Sequence, residues 1–443
     1  MSKKNLQRNE QRTTVADLGR AMIADGLTKG TGGNISIQVD GGVAISPSGM
    51  PYDEITPADV PVVDYDGRVI DGDRDPSSEV RMHTSVLQGR DDVGAVVHTH
   101  SPYASTFASL AEPIPASHYL IAFVGDEIPV AGYATYGTAD LAELALEALG
   151  EEYDACLLQN HGVLAVGETA EAAYERALMV EYCARIHYQA TDVGDPVLLP
   201  DEEVDRLRGV FDEYGQAADE SSAAVAEPPG NELESERATV ADLGRAMLDD
   251  ELTKGTGGNI SVRNGDRVAI NPSGVSYQDV EPSDVPIVTV DGEQIAGELA
   301  ASSETPMHTR IYRDRDDVGG VIHTHSPYAS TFASLAEPIP ASHYLIAFAG
   351  EKVPVAGYDA PGSEELGALA ADALGETYNA CLLQNHGVIT VGETVEAAYE
   401  TALMVEYCAR IHYQAIDIGD PNVLPDEEIE TLLERFAEYG QDH

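Results

Sequence analysis

A pair of histidines two residues apart closes a short apolar segment, and the chain carries this arrangement twice. The segments are VVHTHSPYAS at 96–105 and VIHTHSPYAS at 321–330. Side chains at positions i and i+2 of a strand point to the same face. Two imidazoles presented together can begin a metal site, although an isolated histidine on a strand usually has a structural role.

A third histidine follows another apolar segment in each copy, within the sequence LLQNHG. It is placed to reach the same sheet edge, and three imidazoles that leave one position open form the pattern of a catalytic zinc site. We therefore predict one zinc ion, or another divalent metal, per copy. The predicted ligands are His98, His100 and His161 in the first copy and His323, His325 and His386 in the second. For His83, His118 and His187 we expect structural roles, because they lie in predicted helices or beside proline-rich turns.

Three motifs combine backbone N–H groups with small, hydroxyl or amide side chains: TGGNIS at 31–36, SPSG at 46–49 and SSE at 77–79. Glycine lets the backbone approach a ligand closely, and serines at a helix N-terminus lie where free N–H groups favour an anion. Together the motifs predict a phosphate pocket without arginine, although each is also an ordinary turn. Glu79 either supports the helix dipole or is a carboxylate between phosphate and metal that acts as a base.

These motifs recur because the chain is a tandem duplication. His323 follows His98 by 225 residues, and the segments at 98–123 and 323–348 are identical. Each copy is long enough for one domain with its own core. We predict domains at 12–216 and 237–441, joined by an exposed acidic linker at 217–236 that is rich in Ala, Ser, Glu and Pro.

The composition is strongly acidic, with 77 acidic residues against 25 basic ones and a formal net charge of −52. The hydrophobic fraction of 43% is typical of a globular chain rather than a disordered tail. The charge predicts a solvated surface suited to concentrated salt, and hence a halophilic source. It argues against nucleic acid and anionic membranes as partners. The first residues lack an apolar signal core, and no apolar run of 18 residues follows, so we predict a cytoplasmic protein.

Local patterns predict the elements that position the motifs. We expect a helix capped by Thr14, strands at NISIQV and VAIS, a helix that begins at 77–79, and a strand at VGAVVHTH. Further helices are expected near 102–110, over 138–149 and from about 169 to 190, strands at ACLL and VLAV, and a last helix that ends at Gly215. This alternation predicts two tandem three-layer α/β/α domains, each with a mixed, largely antiparallel central sheet.

Each copy resembles the class II aldolase/adducin family over nearly its full length. The resemblance depends on the order and spacing of GTGGNIS, ISPSGMPY, PSSEVRMH, VVHTH, IPASHYLIA, YATYGT, LLQNHG and DEEVDRLRGVFDEYG. It implies an enzyme, a metal-dependent aldehyde-lyase with zinc on the three histidines. Such an enzyme reversibly cleaves a ketose 1-phosphate similar to L-fuculose 1-phosphate into dihydroxyacetone phosphate and a small aldehyde.

The resemblance also implies residue roles. Glu79 and Glu304 would ligate the empty metal and then act as acid and base. Substrate phosphate would bind to Gly33, Asn34, Ser48, Gly49, Ser77 and Ser78, and in the second copy to Gly258, Asn259, Ser273, Gly274, Ser302 and Ser303. Tyr119 and Tyr344 would donate protons in a neighbouring subunit's site, Tyr214 and Tyr439 would lie on mobile C-terminal tails, and Tyr136, replaced by Pro361 in the second copy, would lie near the aldehyde.

The family's cyclic tetramers imply an assembly as well. Two fused copies supply half of such a ring, so two chains would form a homodimer with pseudo-fourfold symmetry. Three alternatives remain: a pentulose-5-phosphate 4-epimerase, a phosphosugar dehydratase or decarboxylase, and a non-catalytic adducin-like scaffold. The epimerases carry an acidic residue where this chain has SHYLIA, and the two complete histidine sets argue against a scaffold.

Overall fold

The computed structural model describes residues 3–220 and 232–439. The chain forms two compact units. The first consists of the described residues of Met1–Ala116, Leu120–Arg185 and Pro200–Arg208, and the second of those of Ser117–Tyr119, Ile186–Leu199 and Gly209–His443. Short pieces of the first sequence copy therefore belong to the unit that contains the second copy.

An eight-stranded mixed sheet forms the centre of the first unit. Its strands are β1 (Asn34–Val39), β2 (Gly42–Ile45), β3 (Val62–Val63), β4 (Val69–Asp71), β5 (Ala95–Thr99), β6 (Val130–Ala131), β7 (Ala155–Leu158) and β8 (Gly162–Gly167). The spatial order is β4-β3-β2-β1-β5-β8-β7-β6. All pairs are antiparallel except β6–β7. The predicted hairpin is present, since Val39 pairs with Gly42 across a two-residue turn.

Helices cover both faces of this sheet. The helices of the first sequence copy are α1 (Lys3–Ala24), α2 (Val80–Gly89), α3 (Pro102–Leu110), α4 (Ala139–Leu149), α5 (Ala170–Val193) and α6 (Asp201–Glu220), of which the last residues of α5 and most of α6 belong to the second unit. Met82 and Val86 of α2 and Leu141 of α4 pack in one cluster with Val96 and Leu164 of the sheet. Alternate strand residues point to the opposite face, where α1 contacts β1 and β2.

The second unit repeats the architecture. Its strands are β9 (Asn259–Asn264), β10 (Arg267–Ile270), β11 (Ile287–Thr289), β12 (Gln294–Ala296), β13 (Gly320–Thr324), β14 (Val355–Ala356), β15 (Ala380–Leu383) and β16 (Gly387–Gly392). Its helices are α7 (Glu234–Asp249), α8 (Thr305–Asp314), α9 (Pro327–Leu335), α10 (Glu364–Leu374), α11 (Val395–Ile418) and α12 (Asp426–Tyr439). One apolar cluster joins α8 and α10 to the sheet, and others join α7, α9 and α11 to it. The predicted three-layer α/β/α fold with a mixed, largely antiparallel sheet is confirmed in both units.

Some local predictions were wrong. Thr14 does not cap α1, which begins eleven residues earlier at Lys3, and its Oγ1 instead donates to the carbonyl of Glu10 inside the helix. The polar residues before Thr14 lack an apolar stripe, so the pattern alone did not reveal their helix. Helix α6 continues past Gly215 to Glu220.

The linker predicted at 217–236 lies largely outside the described residues, which resume at 232, and α7 begins at Glu234. All four cysteines are buried free thiols. Within residues 3–220 and 232–439, no helix combines the length and apolar character needed to cross a bilayer.

Candidate active site

Three histidines of the first copy converge at the strand ends of the first sheet, where β5 and β7 finish and β8 begins. His98 lies on β5, His100 just beyond that strand, and His161 in the turn between β7 and β8. Because β8 pairs with both β5 and β7, the turn brings His161 beside the other two. The Nε2 atoms of His98 and His100 are 3.1 Å apart, and one nitrogen from each of the three rings lies within 4.8 Å of the others.

A hydrogen bond orients the His98 ring, and burial controls the charge of the other two rings. His98 Nδ1 lies 2.7 Å from the carbonyl of Val163, which can only accept, so Nδ1 carries a proton and Nε2 is the nitrogen directed into the site. Burial, assisted by the charge of His98, lowers the pKa of His100 and of His161 to about 4, which keeps both rings neutral. Burial also disfavours a charge on His98, but the attraction of the nearby Glu79 carboxylate is stronger than this effect and raises the pKa of His98.

Glu79 contributes a buried carboxylate to the same point. It occupies the N-cap position of α2, with Oε2 3.2 Å from His98 Nε2 and Oε1 3.4 Å from His161 Nε2. Burial opposes ionisation, yet the charge of His98 and the hydrogen bonds from His98 and Asn34 together lower the pKa of Glu79 well below its usual range. The carboxylate is therefore ionised and held among the three imidazoles.

The predicted phosphate motifs surround this glutamate. Ser77 Oγ accepts the backbone N–H of Glu79 at 3.2 Å, and Asn34 Nδ2 donates to Glu79 Oε2 at 2.9 Å. The backbone N–H of Ser48 donates to the carbonyl of Asp75 at 3.0 Å, which joins the SPSG turn to the SSE segment. Ser48, Gly49 and Ser78 are exposed. Asn34, predicted to bind phosphate, thus contacts the glutamate directly.

The second unit builds the same geometry. His323 lies on β13, His325 follows it, and His386 lies between β15 and β16. The Nε2 atoms of His323 and His325 are 3.0 Å apart, and His323 Nδ1 lies 3.0 Å from the carbonyl of Val388. Glu304 reaches His323 and His386 with its two carboxylate oxygens, each at 3.4 Å.

The remaining second-copy residues repeat the first. Ser302 Oγ accepts the N–H of Glu304 at 3.3 Å, and Asn259 Nδ2 donates to Glu304 Oε2 at 2.5 Å. The N–H of Ser273 donates to the carbonyl of Ala300. Gly258 and Gly274 adopt positive φ, as Gly33 and Gly49 do.

The two histidine sets differ in burial. All three second-copy histidines are buried, whereas His100 is exposed and the side chain of His161 is 18% exposed. The second unit includes residues 117–119, which cover its site. His118 Nε2 lies 2.5 Å from the carbonyl of His386, and Tyr119 Oη lies 3.4 Å from His325 Nε2.

Two of the other tyrosines selected from sequence are exposed. Tyr344, the counterpart of Tyr119, is 49% exposed, and Tyr136 is 66% exposed in the loop before α4. Tyr214 and Tyr439 fall within α6 and α12, but their side chains lie outside the described part of the chain.

Sequence reasoning missed one functional candidate, His83. Its ring is fully buried and hydrogen-bonded to Asn34 and Ser36, whereas the helix pattern alone favoured a structural role. The available signal was the Glu-x-x-x-His spacing that each copy carries beside the Asn-x-Ser of its first strand.

The donor set fits a divalent cation. Three imidazole nitrogens and a carboxylate are ligands that zinc and similar metals accept. Among the described residues, the Oε1 atoms of Glu79 and Glu304 and both ring nitrogens of His386 are buried without a hydrogen-bond partner. Buried polar atoms are normally satisfied, and a coordinated ion would satisfy the two carboxylate oxygens and one nitrogen of His386.

Comparison with known proteins gives consistent matches. The family described as "Class II Aldolase and Adducin N-terminal domain" matches residues 13–188 and again 238–413. A 5-deoxy-D-ribulose 1-phosphate aldolase of Bacillus thuringiensis serovar kurstaki is 47% identical over 209 residues, which cover 47% of this chain and 98% of that protein. An L-fuculose phosphate aldolase of Escherichia coli strain K12 is 37% identical over 217 residues, which cover 48% of this chain and 100% of that protein. A solved L-fuculose 1-phosphate aldolase has 40% identity and a TM-score of 0.45, and the match covers 46% of this chain and 96% of that one.

Proposed function

Because the chain belongs to the class II aldolase and adducin family, we propose that each copy catalyses the reversible aldol cleavage of a ketose 1-phosphate. The products would be dihydroxyacetone phosphate and a small aldehyde. The chain is an enzyme of the aldehyde-lyase class, since relatives 47%, 42% and 37% identical to it are all named aldolases. The observation that carries the proposal is the convergence of three imidazoles and one carboxylate in each copy.

The family depends on a metal, and we propose zinc on His98, His100 and His161 and on His323, His325 and His386, with Glu79 and Glu304 as further ligands of the free enzyme. When bound, such an ion supplies Lewis-acid chemistry that stabilises negative charge on substrate oxygens. The carbonyl of Val163 fixes the ring of His98. That second contact keeps the ligand nitrogen directed into the site.

The glutamate would move the proton. Cleavage of the C3–C4 bond leaves the electron pair on C3, which must gain a proton, while the C4 hydroxyl must lose one. The ionised carboxylate of Glu79 would take up a proton, equivalent to the one that the C4 hydroxyl loses, and deliver it to C3, with the reverse transfers in the condensation direction. Its Oε1, which has no hydrogen-bond partner among the described residues, is the atom available for this transfer. General acid–base steps of this type contribute about 10²–10⁴-fold.

The phosphate would bind to the loops around the glutamate: Gly33, Asn34, Ser48, Gly49, Ser77 and Ser78, with Gly258, Asn259, Ser273, Gly274, Ser302 and Ser303 in the second copy. The exposed Ser48, Gly49 and Ser78 support this role. Ser78 lies two residues before the first residue of α2, near a helix N-terminus whose dipole favours an anion.

The substrate would resemble L-fuculose 1-phosphate or 5-deoxyribulose 1-phosphate, which the relatives' names specify. Both have the carbonyl and hydroxyl pattern that yields dihydroxyacetone phosphate on C3–C4 cleavage. They differ in the aldehyde, which is lactaldehyde from the first and acetaldehyde from the second. The pocket beyond the metal would therefore decide the substrate.

Tyr119 would assist the second-copy site, since its Oη lies 3.4 Å from His325 Nε2. The first-copy site would receive Tyr344 from a second chain, because its histidines are more exposed and Tyr344 is itself 49% exposed. This supports a homodimer with pseudo-fourfold symmetry, and Tyr214 and Tyr439 would close the sites from C-terminal helices. A solution mass of one chain in an active preparation would contradict the dimer.

We place the enzyme in the cytoplasm of a salt-loving cell on the basis of the net charge of −52. Self-repulsion of such a charge is screened by salt. The unfolding midpoint should therefore rise with KCl concentration, and a midpoint that salt leaves unchanged would contradict this assignment.

The proposed reaction is tested in the condensation direction. The chain is incubated with dihydroxyacetone phosphate and lactaldehyde, acetaldehyde or glycolaldehyde, and the products are identified by NMR. A ketose 1-phosphate with a new C3–C4 bond should form, and the double variant Glu79→Gln, Glu304→Gln should not produce it. Absence of condensation with all three aldehydes, together with interconversion of pentulose 5-phosphates, would replace the proposal with an epimerase.

A further inference from the structure

A series of buried, hydrogen-bonded polar side chains leads away from Glu79 in the first copy. Asn34 and Ser36 point to one face of β1, and Glu79 and His83 lie one turn apart on α2. His83 is completely buried, with Nδ1 2.7 Å from Ser36 Oγ and Nε2 2.5 Å from Asn34 Oδ1. Asn34 Nδ2 in turn lies 2.9 Å from Glu79 Oε2. The side chains of two elements thus form one continuous line of hydrogen bonds.

Only one assignment of donors and acceptors satisfies all of these hydrogen bonds. Asn34 Nδ2 donates to Glu79 Oε2, which leaves the amide oxygen as the acceptor for His83. His83 Nε2 therefore carries the proton, and its Nδ1 accepts the hydroxyl proton of Ser36.

The second copy builds the same line and adds a residue. Asn259 Nδ2 donates to Glu304, His308 Nε2 hydrogen-bonds Asn259 Oδ1, and His308 Nδ1 lies 2.7 Å from Ser261 Oγ. Tyr312 Oη lies 2.9 Å from the same Ser261 hydroxyl and is buried at the next turn of α8. At the corresponding position of α2 the first copy has Leu87, so its line ends at Ser36.

We propose that His83 and His308 are positioning residues that hold the catalytic glutamate through Asn34 and Asn259, and that Tyr312 extends this support in the second copy alone. The proposal rests on the function proposed above, in which Glu79 and Glu304 transfer the proton. With the amide fixed, one carboxylate oxygen is tied to the asparagine and the other stays directed at the site. Without the histidine, the asparagine oxygen loses its donor and the amide can rotate away from the glutamate.

A purely structural role predicts a different outcome. Removing one partner of a buried hydrogen bond leaves the other unsatisfied and lowers the stability of the fold. If His83 only filled space, a substitution would then change stability but not the turnover of the folded enzyme. The two roles are separated by kcat measured alongside KM and metal content.

The first-copy site is tested in a Glu304→Gln parent. His83→Leu should lower kcat about 10–100-fold, with the KM for dihydroxyacetone phosphate changed by less than about twofold and metal content unchanged. His83→Gln should recover most of the lost turnover, because its amide NH₂ can donate to Asn34 Oδ1. Equal turnover of His83→Leu and its parent, equal loss in the Leu and Gln variants, or loss of metal in His83→Leu would overturn the inference.

Tyr312→Phe in a Glu79→Gln parent removes a single oxygen and keeps the ring. The kcat of the second-copy site should fall severalfold with KM unchanged, and a kcat equal to that of the parent would overturn the inference for this copy. Failure of the proposed function is distinguishable, because the wild type would then form no ketose 1-phosphate, or the double variant Glu79→Gln, Glu304→Gln would still form it. If that variant is inactive and His83→Leu is as fast as its parent, the positioning role alone is wrong.

Discussion

Gly33→Ala should lower the activity of the first-copy site in addition to the cost of holding an alanine in a left-handed backbone conformation. Gly33 has φ +70°, and a Cβ there would lie 2.6 Å from the carbonyl oxygen of His98. Real Cβ atoms essentially never approach closer than 3.0 Å, so β1 and the end of β5 must separate by at least about 0.4 Å. The shift would act on Asn34 and His98 together. Displacements of about 1 Å cost about 10²-fold in rate, so Gly33→Ala should lower kcat roughly tenfold.

Gly30 provides a matched control. It has φ +65°, and a Cβ added there would meet no atom within 4 Å, so Gly30→Ala carries the left-handed backbone cost without the contact. Both variants should lose about 1–2 kcal/mol of unfolding free energy for that reason. Condensation kinetics in a Glu304→Gln parent isolate the first-copy site. Equal kcat values for Gly33→Ala and Gly30→Ala would refute the reasoning.

Three further predictions concern separate features. Tyr119→Phe in a Glu79→Gln parent should lower the turnover of the second-copy site by about 10²-fold. In a Glu304→Gln parent it should leave the turnover of the first-copy site unchanged. Equal effects on the two sites would contradict the contact with His325. The ratio of kcat/KM for lactaldehyde to kcat/KM for glycolaldehyde should be higher in Glu304→Gln, which retains the Tyr136 site, than in Glu79→Gln. The difference in transition-state free energy should not exceed the contribution of a methyl group, about 1–3 kcal/mol. Identical ratios would show that the two pockets are equivalent. Burial raises the pKa of Glu181 to about 7, so its protonated form favours folding, and this stability is lost as pH rises from about 4.5 to 7. Glu181→Gln should therefore gain on the wild type by at most about 3 kcal/mol across that window in urea unfolding, and a pH-independent difference would contradict the shift.

The sequence predicted the elements whose patterns are strictly local. NISIQV and VGAVVHTH became β1 and β5, and Thr138 caps α4 as the helix predicted over 138–149 requires. His98 and His100 share an edge because strand geometry places i and i+2 together. The N-terminal half of α1 escaped prediction because its residues are polar on every side, so no apolar period marks it.

Long-range partners account for what was missed at the site. The partners of His83 are Asn34 and Ser36, which lie 49 and 47 residues away, and no local period connects them. Tyr119 was expected, from the family resemblance, to reach a neighbouring site, and its position beside His325 depends on residues 117–119 belonging to the second unit, which the repeat alone does not encode. Tyr136 was expected near the aldehyde, and its 66% exposure leaves that role a prediction.

The central claim, that each copy holds its own metal-dependent catalytic site, is tested most directly by metal stoichiometry. Wild type, His98→Ala, His323→Ala and the double variant are purified alike, and metal per chain is measured together with condensation activity. We expect about two, one, one and no ions per chain, with activity reduced in each single variant and absent from the double variant. Full metal content in the double variant, or full activity without metal, would contradict the claim.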